Sequence, residues 1–144
     1  MNNDTLIRYG ILIAAKELNI EPIDFAIDQN GILKEKDLSS LYDPIGEFII
    51  LSEEWINGAT DAEILLVLFH EMRHHYQNLQ IKLFDKDSSI VIEKDIIKEW
   101  KKEFDSYKKP FEVNQKEYIN QAIERDAVDF SRNLLNKVVN IIKV

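Results

Sequence analysis

Cysteine is absent from the 144-residue chain. Disulfides and thiolate zinc sites are therefore excluded, and any bound metal must rely on histidine, aspartate or glutamate. Histidine is itself scarce: the only three are His70, His74 and His75. Positive charge is in deficit, with 18 Lys and Arg against 26 Asp and Glu, a net charge of -8 and a pI near 4.9. An acidic surface disfavours phosphate backbones and anionic membranes, so no nucleic-acid or membrane partner is expected. Long apolar runs are missing too. Ile11-Leu12-Ile13-Ala14-Ala15 is too short to span a bilayer, and Met1-Asn2-Asn3-Asp4 has no basic leader character. These features predict a cytoplasmic protein. A composition of 45% hydrophobic and 31% charged residues is that of a globular chain. Its length suits a single domain over 1–144, large enough to bury a core without covalent staples.

Helical spacing of Ile7, Ile11, Ala14, Ala15 and Leu18 predicts a helix over 4–18, with Asp4 as N-cap and Asn19 and Pro22 as terminators. Residues 22–28 read as a strand with one wet face, and Gln29-Asn30-Gly31 as a turn. Residues 32–36 suggest a second short strand. After the turn cluster Asp43-Pro44-Ile45-Gly46, residues 47–52 form the clearest strand pattern in the chain. Residues 53–58 read as one helical turn or a loop. Thr60-Asp61-Ala62-Glu63 is a capping box that opens a helix of about 20 residues. A loop at 85–89, a helix over 90–106, a break at Lys108-Lys109-Pro110 and a final helix over 115–142 complete the pattern. Trp55 and Trp100 are read as core. The lysines at 98, 101, 102, 108 and 109, interleaved with Glu99 and Glu103, are read as a solvated face.

Chemistry concentrates in the third helix, at His70-Glu71-Met72-Arg73-His74. Residues four apart share a helix face, so the two imidazoles can converge on one ion, and Glu71 can reach a water bound to it. On a wheel of about 100° per residue, Ile64, Leu65, Leu68, Met72, Tyr76 and Leu79 share one face. His70 and His74 lie nearly opposite, which suggests a helix buried on two sides with one side lining a cleft. Catalytic zinc usually has three protein ligands, so a carboxylate from elsewhere is required. On the final helix Glu124 falls within the apolar arc of Ile123, Ala127, Phe130, Leu134 and Val138. Burying a carboxylate there is costly unless it is paired or metal-bound, which makes Glu124 the leading third ligand. Asp126 is the reserve, read otherwise as a carboxylate that steadies a ligand histidine or is solvated, and Asp129 points outward.

His70-Glu71-x-x-His74, followed by Glu124-x-x-Ala127-x-x-Phe130 and Leu134-Leu135, resembles the zincin metallopeptidases of the ImmA/IrrE kind. The resemblance covers roughly residues 46–135. It implies zinc held by His70, His74 and Glu124, with Glu71 as catalytic base. The fold expected is α+β and zincin-like: a small, mostly antiparallel sheet packed on the motif helix, with additional helices.

The expected function is zinc-dependent hydrolysis of peptide bonds in a protein or peptide substrate. The alternative is a catalytically silent, metal-stabilised regulatory or interaction domain. Manganese or iron also suits a two-histidine, one-carboxylate site. Tyr118, Tyr107, Arg73 and His75 are candidates for oxyanion stabilisation, though His75 lies on the core side and a packed role suits it better. The strand 47–52, just before the motif helix, is a candidate edge on which an extended peptide pairs.

Overall fold

The computed structural model describes residues 2–87, 89–106, 117–118 and 120–142. Among these the order is α1 (Asn3–Leu18), β1 (Phe25–Asp28), α2 (Ile32–Glu35), β2 (Ser40–Asp43), β3 (Phe48–Ser52), α3 (Glu53–Gly58), α4 (Asp61–Asp85), α5 (Lys94–Asp105) and α6 (Ala122–Ile142). The chain is α+β: one three-stranded sheet with six helices among the described residues.

The sheet order is β1-β3-β2. β1 runs parallel to β3, and β2 antiparallel to it. The sheet is thus mixed and not mostly antiparallel. β3 is its central strand, paired on both sides, which removes the expectation that residues 47–52 offer a free edge. Ile49 and Leu51 of β3 are wholly buried toward the helices, while Ile50 on the opposite face is half-buried. β2 and β1 are the edges.

Two short elements differ from expectation. Where residues 32–36 were expected as a strand, Ile32–Glu35 form helix α2, because Asp28 reaches across the turn. Its carboxylate accepts from the backbone N–H of Asn30 at 3.0 Å and of Leu33 at 2.8 Å. Gly31, at φ 75°, makes the left-handed bend that lets Glu35 N–H bond back to its carbonyl. β2 was not anticipated. Its four residues are too few to show a period, and its pairing with β3 is set by the 43–47 turn. There the Asp43 carboxylate accepts from Ile45 N–H at 2.9 Å and the Asp43 carbonyl from Glu47 N–H at 2.8 Å.

α1 is capped by the Asn2 side chain on Thr5 N–H at 2.8 Å, so Asn2 and not Asp4 is the N-cap; Asp4 pairs with Arg8 instead. α4 opens on the expected capping box, with both Thr60–Glu63 bonds formed, and extends to 25 residues. It is buried on two sides, against the sheet and α1 on one flank and α5 and α6 on the other. The first core joins Ile7, Ile11 and Ala14 of α1 to Ile49 and Leu51 of β3 and to Leu68, Phe69 and Met72 of α4. The second joins Ile81 of α4, Ile97 and Trp100 of α5 and Ile123 of α6. α5 begins at Lys94 and not at residue 90. Glu93 sits at its N-cap, and Val91, 83% exposed, lies outside the apolar stripe. The described part of the final helix starts at Ala122, and the expected break at 108–110 lies outside the described residues.

α1 and α4 approach each other closely at Gly10. A Cβ there would lie 2.6 Å from Leu68 Cδ1 and 3.2 Å from Leu65 Cδ2, and Leu68 is fully buried. Gly10→Val is therefore expected to destabilise the protein by about 1–3 kcal/mol through overpacking, read as a lower denaturant midpoint at unchanged m-value.

Candidate metal centre

α4 and α6 bring His70, His74 and Glu124 together. Glu124 Oε2 lies 3.0 Å from His70 Nε2, and Oε1 lies 2.9 Å from His74 Nε2. Glu124 is 1% exposed, as the cost argument for a carboxylate on this face required. Ligand atoms around tetrahedral zinc, at bonds of about 2.0–2.1 Å, are about 3.3 Å apart. The observed Glu124–histidine separations fall a few tenths of an ångström short of that edge. The donor set of two imidazoles and one carboxylate suits zinc and related divalent ions.

Electrostatics point the same way. Burial opposes charge on Glu124, yet the two histidines hold its carboxyl far below the ordinary carboxylate range. Burial likewise opposes charge on His74, but the Glu124 carboxylate beside it prevails and raises His74 to about 9. A carboxylate facing two imidazole nitrogens needs positive charge between them, supplied by protons or by a metal ion.

Glu71, one residue after His70, has a different environment. It is buried and lines a cavity of about 380 Å³ together with His74, Tyr42, Leu41, Ile50, Phe104, Tyr118 and Ile123. Burial pushes its carboxyl above the ordinary range, against the pull of His74 and His70. Ligand atoms of His70, Glu71 and His74 all lie within 4.8 Å of one another, so Glu71 is also within reach of an ion. Glu124 is the carboxylate in direct contact with both Nε2 atoms; Glu71 is the one that borders open space.

The other candidates separate clearly. Asp126 is not turned toward the imidazoles. Its oxygens accept from Arg73 Nε at 2.7 Å and Nη2 at 3.0 Å, which removes it as the reserve ligand. Arg73 is committed to that pair and stacks over Tyr76 at 4.7 Å and Phe130 at 5.2 Å, so it does not face the cavity as an oxyanion donor. His75 is buried, with Nδ1 2.7 Å from the Tyr42 hydroxyl, and burial lowers its pKa. Tyr118 lines the cavity beside Glu71, and Tyr107 lies outside the described residues. Asp129 is exposed.

Two functional contributors were not anticipated. The edge strand β2 lines the cavity along its whole length. Glu103, read as solvated, caps α6: its carboxylate accepts from Ala122 N–H at 2.8 Å and Ile123 N–H at 3.0 Å, immediately before Glu124. A Glu at the end of one helix carries no local signal that it caps the next. No protein-family model, curated protein or solved structure matches the chain at a significant level. No helix among the described residues is long and apolar enough to cross a membrane.

Glu103→Ala is expected to cost about 1 kcal/mol, as for loss of an N-cap, and to weaken metal retention by loosening the turn that carries Glu124; thermal unfolding and metal analysis read the two effects. The metal-free protein has a characteristic pH response. His74, raised from its ordinary 6.5 to about 9, contributes stability below pH 6.5 that is lost as pH rises through 9. Metal-free protein should therefore lose midpoint between pH 7 and pH 10, and saturating zinc should suppress that loss. Equal slopes with and without zinc would contradict the assignment of His74 to the site.

Proposed function

We propose that the chain is a zinc-dependent metallopeptidase, zincin-like and of the ImmA/IrrE kind, that hydrolyses peptide bonds of a protein or peptide substrate. The observation that carries this reading is the pairing of Glu124 with both imidazoles of the H-E-x-x-H helix while Glu71, between them in sequence, faces a cavity. His70, His74 and Glu124 would hold the ion. When bound, zinc supplies Lewis acidity to a water and to the scissile carbonyl.

The protein's own residues supply the remaining parts. Glu71 takes a proton from the attacking water and returns it to the leaving amine. β2 replaces β3 as the platform. It is hydrogen-bonded to β3 on one side only, and its residues border the cavity beside Glu71, so an extended peptide added to that edge would lie across the site. Tyr118 is the remaining donor candidate among the described residues for the developing oxyanion. The acidic, cysteine-free composition suits a cytoplasmic enzyme with a protein partner and no nucleic-acid partner.

A second reading, a metal-stabilised regulatory domain without turnover, draws on Glu71 being within ligand distance: were Glu71 to bind the ion, the fourth position would be closed. Glu71→Gln separates the two. As catalytic base, its loss leaves near-stoichiometric zinc and lowers cleavage of a peptide library by about 10²–10⁴-fold. His70→Ala and Glu124→Ala should instead lose the zinc. Zinc lost from Glu71→Gln as well would favour the closed site and sink the peptidase reading.

A further inference from the structure

Gln77 is wholly buried one turn beyond His74, and its amide orientation is determined by its surroundings. The amide nitrogen lies 3.0 Å from the Ile123 carbonyl oxygen and 2.8 Å from Asp126 Oδ2. A main-chain carbonyl and a carboxylate bound to Arg73 only accept, so the atom facing them must be the NH₂ group. The amide oxygen is then the atom 2.9 Å from His74 Nδ1. An amide oxygen only accepts, so Nδ1 must carry the proton it receives. In a neutral imidazole that leaves Nε2 with its lone pair on the Glu124 side, an acceptor facing an acceptor unless a metal ion lies between them.

We propose that Gln77 is a positioning residue that fixes which nitrogen of His74 meets the metal, and that Arg73 and Asp126 set Gln77 for this task. This rests on the metal-site reading above but assigns roles to residues outside its ligand set. The order of donation is unidirectional. Arg73 donates twice to Asp126, Asp126 accepts from the Gln77 amide, and the Gln77 oxygen accepts from His74. Reversing any one orientation leaves two donors or two acceptors face to face. Arg73 is held in turn by the rings of Tyr76 and Phe130, so the relay is anchored on both α4 and α6. Asp126 would thus act on His74 through Gln77 and not by direct contact.

Without Gln77, the neutral His74 ring is free to place its single proton on Nε2, where Glu124 accepts it and where it blocks the metal. Gln77→Met keeps the length of the side chain and removes both amide functions. Zinc affinity, measured by chelator competition, should fall about 10–100-fold, the range for loss of a residue that orients a metal ligand. Asp126→Ala, which leaves the Ile123 carbonyl to hold Gln77, should give a smaller loss. Circular dichroism checks that each variant keeps its helices.

The second readout needs no metal. Nitrogen-15 shifts of the metal-free His74 ring, read at a pH high enough to make it neutral, should place its proton on Nδ1 in wild-type protein and on Nε2 in Gln77→Met. Zinc affinity of Gln77→Met within twofold of wild type, or a wild-type Nδ1 without a proton, overturns the proposal. Wild-type protein that takes up no zinc overturns the metal site and this role of Gln77 with it, whereas zinc uptake with an unprotonated Nδ1 overturns the role alone. If Gln77→Met fails to fold, the wild-type ring signals and the Asp126→Ala affinity decide it.

Discussion

A buried carboxylate with an imidazole nitrogen on each of its oxygens is the constraint on which this molecule turns. Glu124 cannot occupy the interface of α4 and α6 as an isolated charge. It can do so only because His70 and His74 arrive opposite it with a cation to share, proton or metal. The requirement falls on the elements around it. α6 must start at a defined height, and Glu103 on α5 sets that height by capping the two N–H groups that precede Glu124. The helical segment between the motif and α6 therefore has a structural purpose: α5 fixes where the Glu124 carboxylate lies. The second core, with Ile97 and Trp100 of α5 against Ile81 and Ile123, supplies the apolar contact that holds it there.

α4 carries polar groups on two further flanks, and each is paired with a different partner. Arg73 and Gln77 face α6 and meet Asp126. His75, Asn78 and Lys82 face the β2–β3 hairpin. His75 and Asn78 meet the Tyr42 hydroxyl, Asn78 also donates to the Pro44 carbonyl, and Lys82 pairs with Glu47. Burial keeps the Tyr42 hydroxyl protonated well above its ordinary range, so it stays a neutral hydrogen-bonding post. The motif helix thus fixes the edge strand on one side and α6, which carries Glu124, on the other. The cavity between them is the gap left by those two attachments, and its position beside Glu71 follows from them.

How much of this was legible in the sequence follows from the range of each determinant. The capping box at Thr60, the two-sided burial of α4 and the strand before it are local patterns, visible in spacing alone. Glu124 was legible for a physical reason, since a carboxylate in an apolar arc demands a partner. The hairpin was not. β2 is four residues long, and its identity depends on pairing with β3 and on Tyr42 reaching His75 across 33 positions. Whether β3 was edge or centre likewise depends on the parallel β1, which no local pattern reports. α2 misled because Ile32-Leu33 is apolar and short; what makes it helical is the carboxylate of Asp28, outside the segment. Glu103 shows the same limit, as its partners are 19 and 20 residues away.

Two glutamates lie within reach of the same two histidines, and their surroundings drive them apart. Glu124 touches both Nε2 atoms and is held firmly ionised. Glu71 is buried at the wall of an apolar cavity and is pushed toward its neutral form. One residue type is driven in two directions by environment alone, toward a firmly ionised carboxylate at Glu124 and toward a neutral carboxyl at Glu71. A purely structural metal site needs only the first. The second is a cost to the fold, because a buried carboxyl with a raised pKa lowers stability wherever a neutral side chain would fit. That cost, borne at a position bordering the cavity, is what the proposed role of Glu71 in proton transfer would account for.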